Sequence, residues 1–175
     1  MFKYPRTQHI EGSRLQVGDE DLDIVPFADV KGKHLIVEEK IDGGNCGISF
    51  HHGRLQLQSR GHYLTGGPRE IQFSQLKAWA PTIAEYLHLV LSDRYVMYGE
   101  WMAHKHTVFY DRLPHLFIEF DVLDTQTGRF LSTKQRHQML HGCGITHVPV
   151  LAEGAFETVD ELLALIKPSL YPIVA

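Results

Sequence analysis

An α+β fold, mostly antiparallel sheets with flanking helices, is what this sequence predicts, and three observations carry the prediction. Short apolar segments of alternating period follow one another with turn residues between them. Helical periodicity is confined to three stretches, two of them opened by a capping-box pattern. Strands and helices mix without the regular βαβ alternation of a parallel sheet.

Residues 1–32 read as a loop-rich N-terminal extension broken by Gly12-Ser13, Gly18 and Pro26. Residues 34–39 (His-Leu-Ile-Val-Glu-Glu) form a strand that runs into the turn Asp42-Gly43-Gly44. A second strand covers 46–50, His52-Gly53 turns the chain tightly, and residues 55–58 alternate as a half-buried strand does. Leu76, Trp79, Ile83, Leu87 and Val90 then recur at helical intervals, and Pro81 must break that run or open a new helix. Residues 95–101 and 115–123 are further strands, and 124–128 is a loop. Ser132 with Gln135 opens a helix to about residue 141, with Gly142 or Gly144 near its end. Residues 148–151 make a short strand in which Pro149 demands an edge. Thr158 with Glu161 opens a last helix through residue 166, stopped by Pro168.

The 175 residues are expected to form one domain, with a core of useful size. An apolar share of 43% with 22% charged residues is that of a soluble globular protein. No apolar run approaches the roughly 20 residues that cross a bilayer, so no membrane partner is expected. The N-terminus lacks the apolar stretch of a secretory signal, so the expected location is cytoplasmic. Cys46 and Cys143 are too few to staple the domain and read as small buried residues. A net charge of −4 supplies no general attraction to nucleic acid, so such a partner would need a local basic groove. Of the 12 histidines, His51-His52 and the pair flanking Lys105 suggest metal ligands at first glance. Neither has a metal-site spacing, and the histidines read as surface and loop residues.

Chemistry concentrates around Lys40. The segment Glu38-Glu39-Lys40-Ile41-Asp42-Gly43-Gly44-Asn45 ends an apolar strand on a lysine and bends at once through two glycines. That places an amine at the lip of a sheet with backbone room for a bulky ligand. A lysine is nucleophilic only when neutral, and Glu38, Glu39 and Asp42 oppose this unless a divalent cation and phosphates share the pocket. Taken alone, the segment also describes an ordinary hairpin. Arg60, in Ser59-Arg60-Gly61, could fork onto a phosphate or be a solvated rim residue. Glu100, in Tyr98-Gly99-Glu100-Trp101, could accept from ribose hydroxyls or lie on an edge. The strand from Phe117 to Leu123 embeds Glu119 and Asp121, and buried carboxylates need partners. Phe120 could stack on a purine or be plain core.

In their order and spacing, Lys-x-Asp-Gly-x-Asn, Ser-Arg-Gly, Tyr-Gly-Glu and Phe-Asp resemble motifs I, Ia, III and IIIa of the covalent nucleotidyltransferases, the ligases and capping enzymes. With asparagine after the Lys-x-Asp-Gly core, the match resembles most the RNA ligase 2-type family of ATP-dependent RNA ligases. It spans roughly residues 37–123, and 148–171 also resembles the family's stretch before motif IV.

The resemblance implies an ATP-grasp-like adenylation domain in which Lys40 attacks the α-phosphate of ATP. Pyrophosphate is released and a lysyl–AMP intermediate remains. Asn45 and Arg60 would contact phosphates or the incoming RNA end, Glu100 the ribose and a metal, and Phe120 the adenine. Glu39, Ile41, Asp42 and Gly43 would line the nucleotide pocket beside Lys40. Mg²⁺ or Mn²⁺ is implied, because phosphoryl-type transfer rests on positioning and charge neutralisation. AMP would then pass to a 5′-phosphate, and a 3′-hydroxyl would displace it to seal or repair RNA. The sequence departs from the family late: Glu-Gly before a strand (motif IV) and Lys-x-Lys (motif V) do not follow the last helix, and Glu153-Gly154 precedes a helix cap. The expectation is therefore a partial nucleotidyltransferase domain over 1–175, a missing C-terminal part or partner chain, and weak or undetectable adenylylation by this chain alone. The competing readings are a non-catalytic nucleotide- or RNA-binding relic, or a DNA ligase or capping-type enzyme.

Overall fold

A computed structural model describes residues 1–13 and 23–171, so the predicted breaker Gly18 lies outside the described residues. The chain divides into two compact units, one of residues 1–4, 40–148 and 171–175, the other of 5–39 and 149–170.

The larger unit is built on a six-stranded sheet. β4 (Gly44–His51) and β5 (Arg54–Ser59) form a hairpin closed by His52 and Gly53, both at positive φ (50° and 71°). β6 (Tyr95–Trp101) pairs with β4 on its other edge, and β7 (Phe117–Asp124) pairs with β6; all are antiparallel. β8 (Arg129–Phe130) returns from the predicted loop, and β9 (Thr146–His147) joins β7 in parallel. The Ser74-to-Leu91 periodicity divides where Pro81 required it: α1 (Ser74–Trp79), a 3-10 turn (Ala80–Ile83) and α2 (Ala84–Leu91). α3 (Thr133–Met139) has the complete reciprocal cap: Ser132 Oγ accepts from Gln135 N–H, and Gln135 Oε1 accepts from Ser132 N–H.

Alternation along the strands decides where the core lies. Cys46, Ile48 and Phe50 of β4, Met97 and Trp101 of β6, and Phe117 and Val122 of β7 pack with Leu76, Leu87 and Leu91 of the helices. Burying a Leu- or Phe-sized side chain is worth about 1.5–3 kcal/mol, so this layer is the main source of stability. Cys46 and Cys143 are both buried, free thiols, as the sequence implied. On the opposite face lies a smaller cluster of Ile41, Met102, Ile118 and Val148, with Phe120 against it. Met1 to Tyr4 belongs to this unit, and Phe2 C=O accepts from Tyr98 Oη (2.7 Å) and Gln58 Nε2 (2.7 Å).

The smaller unit pairs β3 (His34–Glu38) antiparallel with β10 (Val150–Ala155). It also holds β1 (His9–Ile10) in parallel with β2 (Ile24–Val25), and the helix α4 (Val159–Leu163). Two expectations shift here. The strand predicted over 148–151 begins after Pro149 and runs to Ala155, so Glu153-Gly154 lies within a strand rather than in the approach to a helix cap. Its ladder is completed by Ile36 and Leu35, far away in sequence. The last helix ends at Leu163 rather than 166. Thr158 Oγ1 accepts from Glu161 N–H, but the Glu161 carboxylate turns to Glu157 N–H (2.7 Å), so only half of the box forms. No helix among the described residues is long and apolar enough to cross a membrane.

Candidate functional site

Of the two glycines after Lys40, the first is dictated by space. A Cβ on Gly43 would lie 2.5 Å from Met102 Sδ and 3.0 Å from Trp101 C=O, so only glycine lets this turn press against the end of β6. The packing fixes the turn that carries Lys40, while the lysine side chain itself is exposed. Ile41 is buried in the smaller cluster.

Asp42 is committed to backbone. Its Oδ2 accepts from Thr107 N–H (2.7 Å) and Val108 N–H (2.8 Å), and its own N–H donates to Tyr110 Oη (3.0 Å). Glu39 falls in the smaller unit, where its N–H donates to Pro149 C=O (2.9 Å) and its Oε2 accepts from Leu170 N–H (3.4 Å). Two of the carboxylates flanking the lysine thus have donors of their own.

Asn45 and Glu100 are direct partners across the β4–β6 ladder, and Ile118 is Glu100's partner on the other side, so the three form one row on one face. Glu100 Oε2 is buried without a hydrogen-bond partner among the described residues. Burial pushes its carboxyl up to about 8; the charges of Lys40 and Arg60 pull it down and that of Asp42 pushes it up. The orphaned oxygen can accept from a hydroxyl while the carboxyl is neutral, and can face a cation once the carboxyl ionises. Arg60 is exposed at the tip of the turn from Ser59 to His62, which is closed by Ser59 N–H to His62 C=O (2.8 Å). Its charge and that of Lys40 both act on the Glu100 carboxyl.

Phe120 owes its placement to a bulge. Tyr98 pairs with Asp121 and Gly99 with Glu119, which leaves Phe120 as the extra residue of β7. Its ring therefore stays on the Glu100 face with Ile118, half-buried against the smaller cluster, and meets Tyr4 edge-on at 4.9 Å. Glu100 thus has Asn45 beside it and Phe120 on the same face, and the charges of Lys40, Asp42 and Arg60 act on its carboxyl.

Sequence reasoning missed two features. Tyr4 reaches this face and donates to Asp121 Oδ2 (2.6 Å); no local pattern marks an N-terminal tyrosine for that contact. A second polar centre joins Glu119 to Arg136 (2.6 Å) and His147 (2.5 Å), so the histidines are not all surface and loop residues. A cavity of about 390 Å³, lined in part by Met1, Phe2, Gln56, Tyr63 and Tyr95, includes none of the predicted site residues.

Solved structures of Naegleria gruberi RNA ligase share the fold. One with PPi superposes with a TM-score of 0.65 at 20% identity. A mutant with ATP and Mn gives 0.64, also at 20%. In each, 82% of this chain is covered, and it spans 44% of the length of the other. No curated protein matches the chain by sequence. The family model for RNA ligase matches residues 33–172, from β3 through the whole candidate site, and on that match the chain belongs to the RNA ligase family.

Proposed function

We propose that this chain is the nucleotide-binding part of an ATP-dependent RNA ligase, a partial nucleotidyltransferase domain over 1–175 with residues 1–32 as its loop-rich N-terminal portion. Lys40 Nζ attacks the α-phosphorus of ATP. A P–N bond forms, the bond to the β-phosphate breaks, pyrophosphate leaves, and the amine loses its proton. A 5′-phosphate oxygen of RNA then displaces the lysine from the adenylate, and a 3′-hydroxyl displaces AMP to join the strands.

The observation that carries this reading is Glu100 Oε2, buried with no hydrogen-bond partner among the described residues, on a carboxyl that feels the charges of both Lys40 and Arg60. Because that carboxyl is pushed up to about 8, it is largely neutral at pH 7 and does not hold the Lys40 ammonium by charge. Asp42 and Glu39 each accept backbone N–H groups, so both carboxylates are held in place beside the turn. Glu100 holds the ribose or a divalent cation, Asn45 and Arg60 the phosphates, and Phe120 the adenine ring. Ile41 and Gly43 shape the floor beside the nucleophile. Mg²⁺ or Mn²⁺, when bound, supplies neutralisation of phosphate charge. The solved relative with ATP and Mn supports that pairing of nucleotide and metal.

The test is mass spectrometry of the protein after incubation with ATP or GTP and either metal, alongside Lys40→Ala. A covalent AMP adduct on the parent, even in small yield, and none on the variant is the expected result. Nucleotide binding without an adduct would replace this reading with a non-catalytic nucleotide-binding module. Labelling by GTP alone would move the chain to the capping enzymes, and adenylate transfer to nicked DNA but not RNA would move it to the DNA ligases.

A further inference from the structure

Behind Phe120, on the other face of β7, Glu119 is wholly buried. Arg136 Nη1 holds its Oε2 at 2.6 Å, and His147 Nδ1 lies 2.5 Å from the same oxygen. Its second oxygen, Oε1, is buried with no hydrogen-bond partner among the described residues, and so is His137 Nε2. The His137 and His147 rings lie 4.0 Å apart at 38°. One ligand atom from each of Glu119, His137 and His147 falls within 4.8 Å of the other two.

A network built only of hydrogen bonds would not leave an acceptor and a ring nitrogen orphaned in the same buried cluster, since each orphan costs about 1–3 kcal/mol. Two imidazoles and one carboxylate are a donor set suited to zinc, with bonds of about 2.0–2.2 Å. Tetrahedral ligands at those lengths lie roughly 3.4 Å apart. On binding, His147 Nδ1 would therefore give up its 2.5 Å contact with Glu119 Oε2, and the three ligand atoms, all within 4.8 Å of one another, would adjust to that spacing. Arg136 stands as the partner that orients the carboxylate. His137 and His147 are only half-buried, which leaves an entry path.

We propose that Glu119, His137 and His147 form a binding site for a single Zn²⁺ ion, separate from the Lys40 site and independent of its proposed chemistry. The ion would join β7, α3 and β9, three elements of one unit, and stiffen the strand that carries Phe120.

Titration of the chelator-stripped full chain with Co²⁺ and with Zn²⁺ tests this. One equivalent should bind, with visible Co²⁺ bands of low coordination number and a raised Tm on Zn²⁺ addition. His137→Ala and His147→Ala should each weaken binding by at least roughly 100-fold, beyond the 10–100-fold typical of losing an outer partner. The His51→Ala/His52→Ala double variant should bind as the parent does. Circular dichroism without metal shows whether each variant folds. Should His147→Ala fail to fold, His137→Ala decides, because the His137 nitrogen it removes is the unpartnered one. Absence of stoichiometric binding, unchanged affinity in His137→Ala, or loss of binding in the His51/His52 variant would overturn the proposal.

Discussion

Asn45 and Glu100 sit side by side in the β4–β6 ladder, so the residue that closes the lysine motif and the carboxylate that faces it are held by the same strand pairing. Lys40 lies just ahead of β4, on the other side of the Gly43 turn.

Glu100→Gln should stabilise the chain at alkaline pH and change little in acid. The folded-state carboxyl stands at about 8, above its ordinary value of 4.5, so the folded chain binds the extra proton between those values. Stability therefore falls as pH rises through that window, and Gln, which never ionises, avoids the loss. Thermal melts should separate the two proteins by roughly 3 °C or more at pH 9 and converge at pH 4.5. The same variant should bind ATP more weakly. Parallel melts across the range would show that burial does not hold this carboxyl neutral.

Phe120→Ala should weaken ATP binding by about 1–3 kcal/mol, the worth of one ring–base stack, with the fold kept. Titration calorimetry measures it. Equal affinity in parent and variant would make Phe120 a packing residue only.

Gly99→Ala and Gly61→Ala should differ sharply. A Cβ at Gly99 would lie 2.6 Å from the Phe117 ring and 2.7 Å from Ile118 C=O, so β6 and β7 must part, at a cost of about 1–3 kcal/mol or more. Nothing lies within 4 Å of a Cβ at Gly61, and that change should stay within about 0.5 kcal/mol. Urea denaturation would show both.

Arg136→Met should cost about 3–5 kcal/mol, because it strands the buried Glu119 carboxylate. Adding Glu119→Gln should return part of that loss. A double variant less stable than the single would show that a stranded charge is not what destabilises Arg136→Met.

Features encoded within a few residues were legible from sequence alone. The Ser132–Gln135 cap and the break at Pro81 each depend on neighbours in the chain, and each took the expected form. Features that depend on a distant partner were not. Phe120 is aimed by a residue count on β6, and β10 runs on to Ala155 because β3 is there to receive it. Glu119 meets Arg136 and His147, 17 and 28 residues along the chain, and no short spacing announces such a meeting. Whether Glu39 and Asp42 belong to the nucleotide pocket was equally illegible, since their lone pairs go to backbone N–H groups of Leu170 and of Thr107 and Val108.

That last arrangement ties the turn after Lys40 to a surface loop 65 residues downstream. Three hydrogen bonds act as a tether: whatever drags residues 104–110 outward must either break them or pull the turn with it. Anything that grips the exposed His104, Lys105 and His106 would hold a lever on the turn beside Lys40 without ever touching the lysine.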